Sequence, residues 1–245
     1  MTDTLVLVGR CHTERASRRH AERLRDRAVA DRVVVATYEN EPTELAESAA
    51  IRTSRVDAGD DTYVVPMAPA PDHDTTRAIP GALPGAHHCE PVGTSPAIVR
   101  GLADRAEAVV TPSEEASLAL VAFGETAGSK SHATTEEQAT RLRETTTYGE
   151  VATAYLVQNP AVECLRYNLS GDRTVVVPFF LAACEESERA IPEKLELDRG
   201  GLAYADPLGT HEAVTDAIEA EFAKARALGS GTATVRPVAT DGRGH

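Results

Sequence analysis

The sequence predicts the α/β fold class with two similar halves in tandem, and three observations lead to this prediction. Short apolar segments alternate with amphipathic helical segments along most of the chain. Residues 63–83 and 175–195 share one pattern, in which an apolar strand ends in proline and a polar loop leads to a helix that begins at a second proline. The prolines match at the same offset, which indicates an internal duplication. They are Pro66 and Pro80 in the first stretch, and Pro178 and Pro192 in the second.

The first half contains four strand–helix units. The predicted strands are Thr4–Val8, Val33–Thr37, Tyr63–Met67 and residues 87–90. The helices that follow them begin after Gly9 and near Pro42, Ile79 and Ser95. We expect Thr43 to cap the second of these helices, because a hydroxyl at that position accepts a free backbone N–H.

The second half repeats this order, and Gly124 is expected to match Gly9. Its predicted strands are residues 118–123, Val151–Tyr155, the strand beginning at Val175, and residues 203–206. The last helix carries Val214, Ala217, Ile218 and Phe222 on one face. We therefore expect domains at residues 1–110 and 111–228. Residues 229–245 lack periodicity and predict a disordered tail.

The composition excludes several classes of protein. The net charge of −13 argues against nonspecific binding to nucleic acid or to an acidic membrane surface. No apolar run approaches the ~18 residues that span a bilayer, and the N-terminus lacks a signal peptide, so a soluble cytoplasmic protein is expected. The four cysteines form no CxxC pair, which favours reduced thiols. Three lysines against 38 acidic residues are typical of proteins from salt-loving archaea.

Alternating strands and helices imply parallel sheets with right-handed crossovers. In a flavodoxin-like strand order, strands one and three are neighbours, so the loops that follow them converge at the topological switch point. The loops after Gly9 and Pro66 are then expected to share a site in the first half. The loops after Gly124 and Pro178 are expected to do so in the second half.

Several motifs together resemble the sirohydrochlorin cobaltochelatase/ferrochelatase family of the CbiX and SirB type. These motifs are the strand–Gly opening, the Pro-Phe-Phe-Leu-Ala-Ala strand, the Arg-x-Ile-Pro helix start and the Pro-Leu-Gly-Thr-His turn. The resemblance covers nearly the whole chain and implies two chelatase-like domains that insert a divalent metal into a tetrapyrrole. The family uses one histidine after the first-strand glycine and another six residues before the Ile-Pro proline.

This sequence departs from the family pattern at those histidine positions. The residues that replace the histidines are Arg10 and Asp74 in the first half, and Glu125 and Glu186 in the second. Two imidazoles lie nearby in sequence. His12 comes two residues late in one loop, and His73 comes one residue early in the other.

Metal insertion requires groups that hold a hydrated divalent ion and a base that removes two pyrrole protons. His12 and His73 are the predicted metal ligands, since imidazole suits cobalt, nickel and iron better than carboxylates alone. Glu125 and Glu186 are the predicted acid–base or metal-relay pair, because two close carboxylates raise the pKa of one of them. The alternative is that these residues are solvated loop residues of a decayed site.

An excess of arginine marks the first helix, and the resemblance implies an anionic tetrapyrrole as its partner. We expect Arg10, Arg15 and Arg18 to bind the substrate, because guanidinium groups bind carboxylates and helix N-termini attract anions. The arginines at positions 23, 25 and 27 are interpreted as a solvated face.

The remaining histidines are not expected to be metal ligands. Residues 87–90, His-His-Cys-Glu, look like a ligand cluster, but strand alternation sends neighbouring side chains to opposite faces. His211 is interpreted as a helix-start residue. His20 and His132 are interpreted as exposed polar residues.

Two function classes remain open from the sequence. One is a chelatase of the cobalamin or siroheme branch, with cobalt or iron as a metal substrate and no organic cofactor. The other is a catalytically silent chelatase-like protein that binds metal or tetrapyrrole, or that assists an active partner. The missing histidine pair favours the second class, whereas the duplication and the arginines favour the first.

Overall fold

A computed structural model describes residues 2–54, 61–124, 130–171 and 173–230. Within these residues the chain forms two parallel sheets of four strands each. The first sheet contains β1 (Asp3–Arg10), β2 (Arg32–Tyr38), β3 (Asp61–Pro66) and β4 (His87–His88). The second contains β5 (Ala116–Ala122), β6 (Glu150–Tyr155), β7 (Arg173–Pro178) and β8 (Leu202–Tyr204). The predicted fold class is therefore confirmed.

The helices flank both sheets. Those of the first half are α1 (Glu14–Asp26), α2 (Ala49–Ser54), α3 (Ile79–Ala82) and α4 (Ile98–Glu107). Those of the second half are α5 (Lys130–Thr145), α6 (Leu165–Asn168), α7 (Ile191–Lys194) and α8 (Glu212–Ser230). Of the predicted tail, residues 229–230 continue α8, and residues 231–245 lie outside the described part of the chain. No helix in the described ranges is long and apolar enough to cross a membrane.

The helix predicted to start at Pro42 is divided in two. Residues Pro42–Glu47 form a 3₁₀ segment, and Ser48 then takes an extended ψ of 129°, so that α2 begins only at Ala49. Glu41, rather than Thr43, is the N-cap residue. Its carboxylate and that of Glu44 accept each other's backbone N–H groups, which satisfies two donors at the start of the segment.

The two sheets have the same strand order, β2-β1-β3-β4 and β6-β5-β7-β8. Strands one and three are neighbours in each half, as the flavodoxin-like order predicts. Val8 pairs with Pro66 in the first sheet and Val121 pairs with Pro178 in the second, so the two prolines are equivalent.

The same register shows that matching Gly9 with Gly124 was wrong. Since Val8 is equivalent to Val121, Gly9 is equivalent to Ala122 and Arg10 to Phe123. Gly124 has a φ of +83°, a left-handed conformation that favours glycine, and it follows the end of β5 instead of lying within it. The glycine motifs of the two halves therefore serve different local geometries.

The last helix of each half packs against the other half. Helix α8 contacts β3, β4 and α1, whereas α4 contacts β7 and α5. Phe222 of α8 lies edge-on to Tyr63 of β3, with ring centroids 5.0 Å apart, and both side chains are buried. One apolar cluster runs through both sheets, including Leu5 of β1 and Leu118 of β5. The expected division near residue 110 remains a proposal, because this exchange joins the halves into a common core.

Two arginines that the sequence predicts to be solvated, Arg23 of α1 and Arg27 directly after it, bind the second half instead. The Arg23 Nη1 donates to the Thr210 carbonyl oxygen at 2.6 Å. The Arg27 guanidinium binds the carboxylates of Glu212, Asp216 and Glu219 of α8 at 2.8, 2.7 and 3.1 Å. Arg25 Nη2 donates to the Val33 carbonyl oxygen at 2.6 Å. Sequence spacing alone does not reveal the contacts of Arg23 and Arg27, because they form only when the second half packs against α1.

His20 also corrects an expectation, because it is fully buried between α1 and α8. Its Nδ1 lies 2.9 Å from Thr215 Oγ1 and its Nε2 lies 3.0 Å from the Gly209 carbonyl oxygen. Burial lowers the pKa of His20 to about 4, so the imidazole is neutral near pH 7. His132, expected to be exposed, is half-buried and stacks on Tyr155 with ring centroids 4.9 Å apart.

Candidate functional site

A cleft of about 660 Å³ lies at the carboxyl ends of the strands, with walls from both halves. Gly9 and Pro66 both line it, so the two loops of the first half converge as expected. The second half contributes the segments that follow β5 and β7. The polar and titratable side chains of the lining are Arg10, Cys11, His12, Thr13, Tyr38, Glu39, Asp72, Thr75, Cys184 and Glu186.

In the first half, the two positions where the family has histidines form an ion pair. Arg10 Nη2 donates to Asp74 Oδ2 at 2.7 Å, and the Tyr38 hydroxyl donates to the same oxygen at 3.0 Å. The Arg10 guanidinium also lies 5.5 Å from the centroid of the Tyr38 ring. Burial and the charge of Asp74 raise the pKa of Tyr38, so the phenol remains a donor. Asp74 therefore has two partners within the protein.

His12 lies at the surface of the cleft, in the 3₁₀ segment Cys11–Thr13. The Thr13 hydroxyl fixes this segment by donating to the Arg10 carbonyl oxygen at 2.7 Å. His12 is exposed to the cleft, and partial desolvation there lowers its pKa below the ordinary value of 6.5, while the negative charge of Glu186 opposes this shift. The imidazole is therefore neutral at pH 7, the form that binds metals and accepts protons.

Glu186 reaches the same cleft from the second half, at the start of the π-helical turn Glu186–Ala190. The preceding loop is fixed by the buried Ser187, whose hydroxyl oxygen accepts the Cys184 backbone N–H at 3.1 Å. Thr75 makes the equivalent contact in the first half, where its hydroxyl accepts the Asp72 N–H at 2.8 Å. In the described part of the chain, no lysine or arginine forms an ion pair with Glu186, so its charge acts on the cleft.

Cys184 lies beside Glu186 and lines the cleft. Burial raises the pKa of the Cys184 thiol, and the neighbouring Glu186 carboxylate raises it further. The thiol is therefore protonated near neutral pH and is a poor metal ligand in this state. All four cysteines are free, as the spacing predicted.

The other predicted site residues lie elsewhere. The His73 side chain is 78% exposed, and it is not among the residues that line the cleft, although its Nδ1 lies 3.9 Å from Asp74 Oδ1. Glu125 lies outside the described residues. The structure thus brings His12 together with Glu186 and does not bring His73 into the cleft. The pairing of His12 with His73 and that of Glu125 with Glu186 remain predictions.

Of the three predicted substrate-binding arginines, Arg10 lines the cleft. Arg15 and Arg18 line a separate, shallow depression on the exposed face of α1, together with Thr210. Arg18 is bound to Glu14 of its own helix, with Nη2 2.6 Å from the Glu14 Oε1. Arg15 and Arg18 therefore do not share the cleft with Arg10, and their binding of a ligand remains a prediction.

The histidines outside the cleft have structural contacts. His87 stacks on Tyr63 with ring centroids 4.9 Å apart, and His88 Nε2 lies 3.2 Å from the Leu83 carbonyl oxygen. His211 accepts the Ala213 backbone N–H on Nδ1 at 3.2 Å at the start of α8, as expected for a helix-start residue. Within the described ranges, no three His, Cys, Asp or Glu side chains are grouped so as to hold a metal ion.

Sequence reasoning missed several residues of the cleft. Tyr38, Asp72, Phe123 and Phe180 all line it. Tyr38 ends β2 and Phe123 directly follows β5, so their positions at strand ends were the available signal. Matching Gly9 with Gly124 made Glu125, instead of Phe123, the residue equivalent to Arg10. Phe123 was therefore not identified as a cleft residue from the sequence.

The cleft thus contains a neutral imidazole, several carboxylates and one arginine. Imidazole nitrogen and carboxylate oxygen are ligands for divalent transition metals, and both groups accept protons near neutral pH. Met67 and the two phenylalanines add apolar surface to the same cavity. The arrangement suits a flat organic molecule together with a cation.

Comparisons with known proteins agree with this chemistry. The CbiX family model matches residues 119–225. A Halobacterium salinarum protein named "Probable sirohydrochlorin cobaltochelatase" is 24% identical over 205 residues, which cover 71% of this chain and 68% of the relative. The chain therefore resembles the CbiX/SirB-type chelatases, as its motifs predicted.

Solved structures show the same fold at low sequence identity. SirB from Bacillus subtilis, determined with Fe³⁺, has a TM-score of 0.74 and 16% identity, covering 95% of this chain and 98% of that one. A multi-domain Deinococcus radiodurans protein with structural similarity to chelatases has a TM-score of 0.71 and 21% identity. The match covers 90% of this chain and 54% of that longer protein.

Proposed function

We propose that this chain, which resembles the CbiX/SirB-type chelatases, inserts a divalent metal into a sirohydrochlorin-type tetrapyrrole in cobalamin or siroheme biosynthesis. The observation that carries the proposal is the meeting of His12 and Glu186 from opposite halves in one cleft. Cobalt and iron are the metals favoured by the names of the relatives, a cobaltochelatase and a SirB structure with Fe³⁺. Both metals enter the reaction as substrates.

Insertion requires the macrocycle to lose two pyrrole protons as the metal ion enters. His12 has a pKa below 6.5 because of partial desolvation in the cleft, so at pH 7 it is neutral and has a free nitrogen lone pair for the metal or a proton. Glu186 supplies a carboxylate that is not neutralised by an arginine or lysine in the described part of the chain. One imidazole and one carboxylate can therefore hold the incoming ion and accept the two protons as the ion is transferred.

The ion pair of Arg10 with Asp74 explains why this site differs from the histidine pair that the family resemblance implies. Asp74 accepts hydrogen bonds from Arg10 and Tyr38 through one oxygen, which makes it a weak competitor for a metal ion. We propose that His12, two residues farther along the chain, provides the imidazole instead. His73 is the candidate for a second metal ligand in addition to His12, since it lies beside Asp74 at the surface.

The second candidate function is a silent chelatase-like protein that binds metal or tetrapyrrole without inserting the metal. The observation that favours it is the absence of a group of three metal-ligating side chains in the described residues. A catalyst and a silent protein differ in one measurable property, the rate of insertion.

The test mixes the purified chain with sirohydrochlorin and Co²⁺, Fe²⁺ or Ni²⁺ at high salt. Metal insertion is measured from the absorbance change of the macrocycle. We expect the protein to increase the insertion rate above that of metal and macrocycle alone, with Co²⁺ or Fe²⁺ as the best substrate. Binding of sirohydrochlorin without any increase in rate with all three metals would support the silent protein instead.

A further inference from the structure

The second half presents an aromatic surface to the cleft. Phe123 is 45% exposed although it lies in a concave site, and the mostly buried Phe180 lines the same cavity. Met67 of the first half extends this apolar surface. Large apolar side chains that remain exposed inside a cavity mark a surface for contact with a ligand.

Phe123 also has a specific position relative to the charged residue Arg10. It is equivalent to Arg10 in the strand register, so corresponding positions carry an aromatic ring in one half and a guanidinium in the other. Arg10 remains 49% exposed although its Nη2 binds Asp74. A guanidinium has five N–H donors, so Arg10 retains donors for a second carboxylate.

From these positions we propose that Phe123 stacks on the face of the tetrapyrrole while Arg10 binds one of its peripheral carboxylates. This inference rests on the proposed function and assigns the two contacts that orient the ring. A flat conjugated ring matches the exposed face of Phe123, and a carboxylate matches the free donors of Arg10.

The acidic lining restricts the orientation further. Glu39, Asp72 and Glu186 line the cleft and repel the other ring carboxylates, which therefore point out toward solvent. The same negative charges attract a divalent cation. The tetrapyrrole ring thus lies against the aromatic surface of Phe123, and the metal approaches from the side of His12 and Glu186.

Titration of the full chain with metal-free sirohydrochlorin, followed by absorbance, tests the stacking contact. Phe123→Ala is expected to raise the Kd about tenfold, because stacking on an aromatic side chain contributes substantially to the binding of flat rings. Phe123→Tyr keeps an aromatic face and is expected to bind within about twofold of the wild type. Tyr167→Ala removes an aromatic ring that is 78% exposed and lies outside the cleft lining, and is expected to leave the Kd unchanged.

The possible results separate this inference from the function on which it rests. If the wild type binds sirohydrochlorin and Phe123→Ala binds equally well, the stacking contact is wrong and the proposed function stands. If the wild type binds no sirohydrochlorin, both proposals fail.

Thermal unfolding of each variant shows whether it is folded. Phe123→Leu, which keeps apolar volume without an aromatic face, replaces the alanine variant if that protein is unstable. Leucine is also expected to weaken binding severalfold, and wild-type affinity would overturn the stacking.

Discussion

Replacing His12 by alanine is expected to lower the rate of Co²⁺ insertion into sirohydrochlorin by about 100-fold, the usual contribution of a positioned acid–base residue. His12 is the histidine among the cleft-lining residues, and partial desolvation in the cleft lowers its pKa below the ordinary value of 6.5. Under the proposed function, its removal takes away both a metal ligand and a proton acceptor. The rate is measured from the absorbance of the macrocycle at a fixed Co²⁺ concentration.

His73→Ala is the matched control, because it removes the same type of side chain from the same half of the protein. The His73 side chain is 78% exposed and is not part of the cleft lining, so we expect its loss to change the rate by less than about threefold. Equal losses in the two variants would restore His12 and His73 as the metal-binding pair. A large loss in His73→Ala alone would contradict the role of His12.

The free energy of unfolding is expected to fall by about 3 kcal/mol between pH 7 and pH 4 through His20 alone. Its folded-state pKa is about 4, below the ordinary value of 6.5, because the ring is buried against Thr215 and Gly209. The unfolded chain therefore binds a proton as the pH falls through 6.5, while the folded chain does not. The stabilisation is complete above pH 6.5 and is lost as the pH approaches 4.

Chemical denaturation at several pH values and constant salt measures this dependence. His20→Asn removes the titrating group but keeps hydrogen-bonding capacity, so its stability is expected to fall less steeply over the same pH range than that of the wild type. His73→Gln, at an exposed position, is expected to keep the wild-type slope. Identical slopes in His20→Asn and the wild type would mean that His20 has the same pKa in the folded and unfolded chain, which would contradict the lowered pKa.

Much of the fold follows from local patterns. The apolar strands and their proline ends predicted both sheets, because strand periodicity and turn residues are short-range signals. Pro66 and Pro178 occupy equivalent register positions as expected. The glycine alignment failed because a glycine within a strand and a glycine with positive φ after a strand look alike in sequence, although their backbones differ.

The contacts between the halves were not predictable in this way. The exchange of α4 and α8 buries His20 and pairs Arg27 with three carboxylates almost two hundred residues away in the chain. An amphipathic pattern shows that a helix has a buried face, but it does not specify which sheet covers that face. Long-range packing therefore decided which polar residues of α1 are structural.

The candidate site was predictable in its location but not in its composition. Parallel sheets place their carboxyl-end loops together, so the convergence of the loops after Gly9 and Pro66 followed from topology. Asp74 is bound by Arg10 and Tyr38, and His12 lines the cleft together with Glu186, because side-chain orientation depends on the tertiary environment of each loop. Spacing in the sequence carries no information about these orientations.

The most direct test of a site shared between the halves is a double-mutant cycle on the rate of Co²⁺ insertion, with His12→Ala, Glu186→Gln and the combined variant. If both side chains act on the same ion, the double variant is expected to lose less than the sum of the single losses, with a coupling free energy of about 1 kcal/mol or more. Losses that add within about 0.5 kcal/mol, or a Glu186→Gln variant as fast as the wild type, would contradict a shared site.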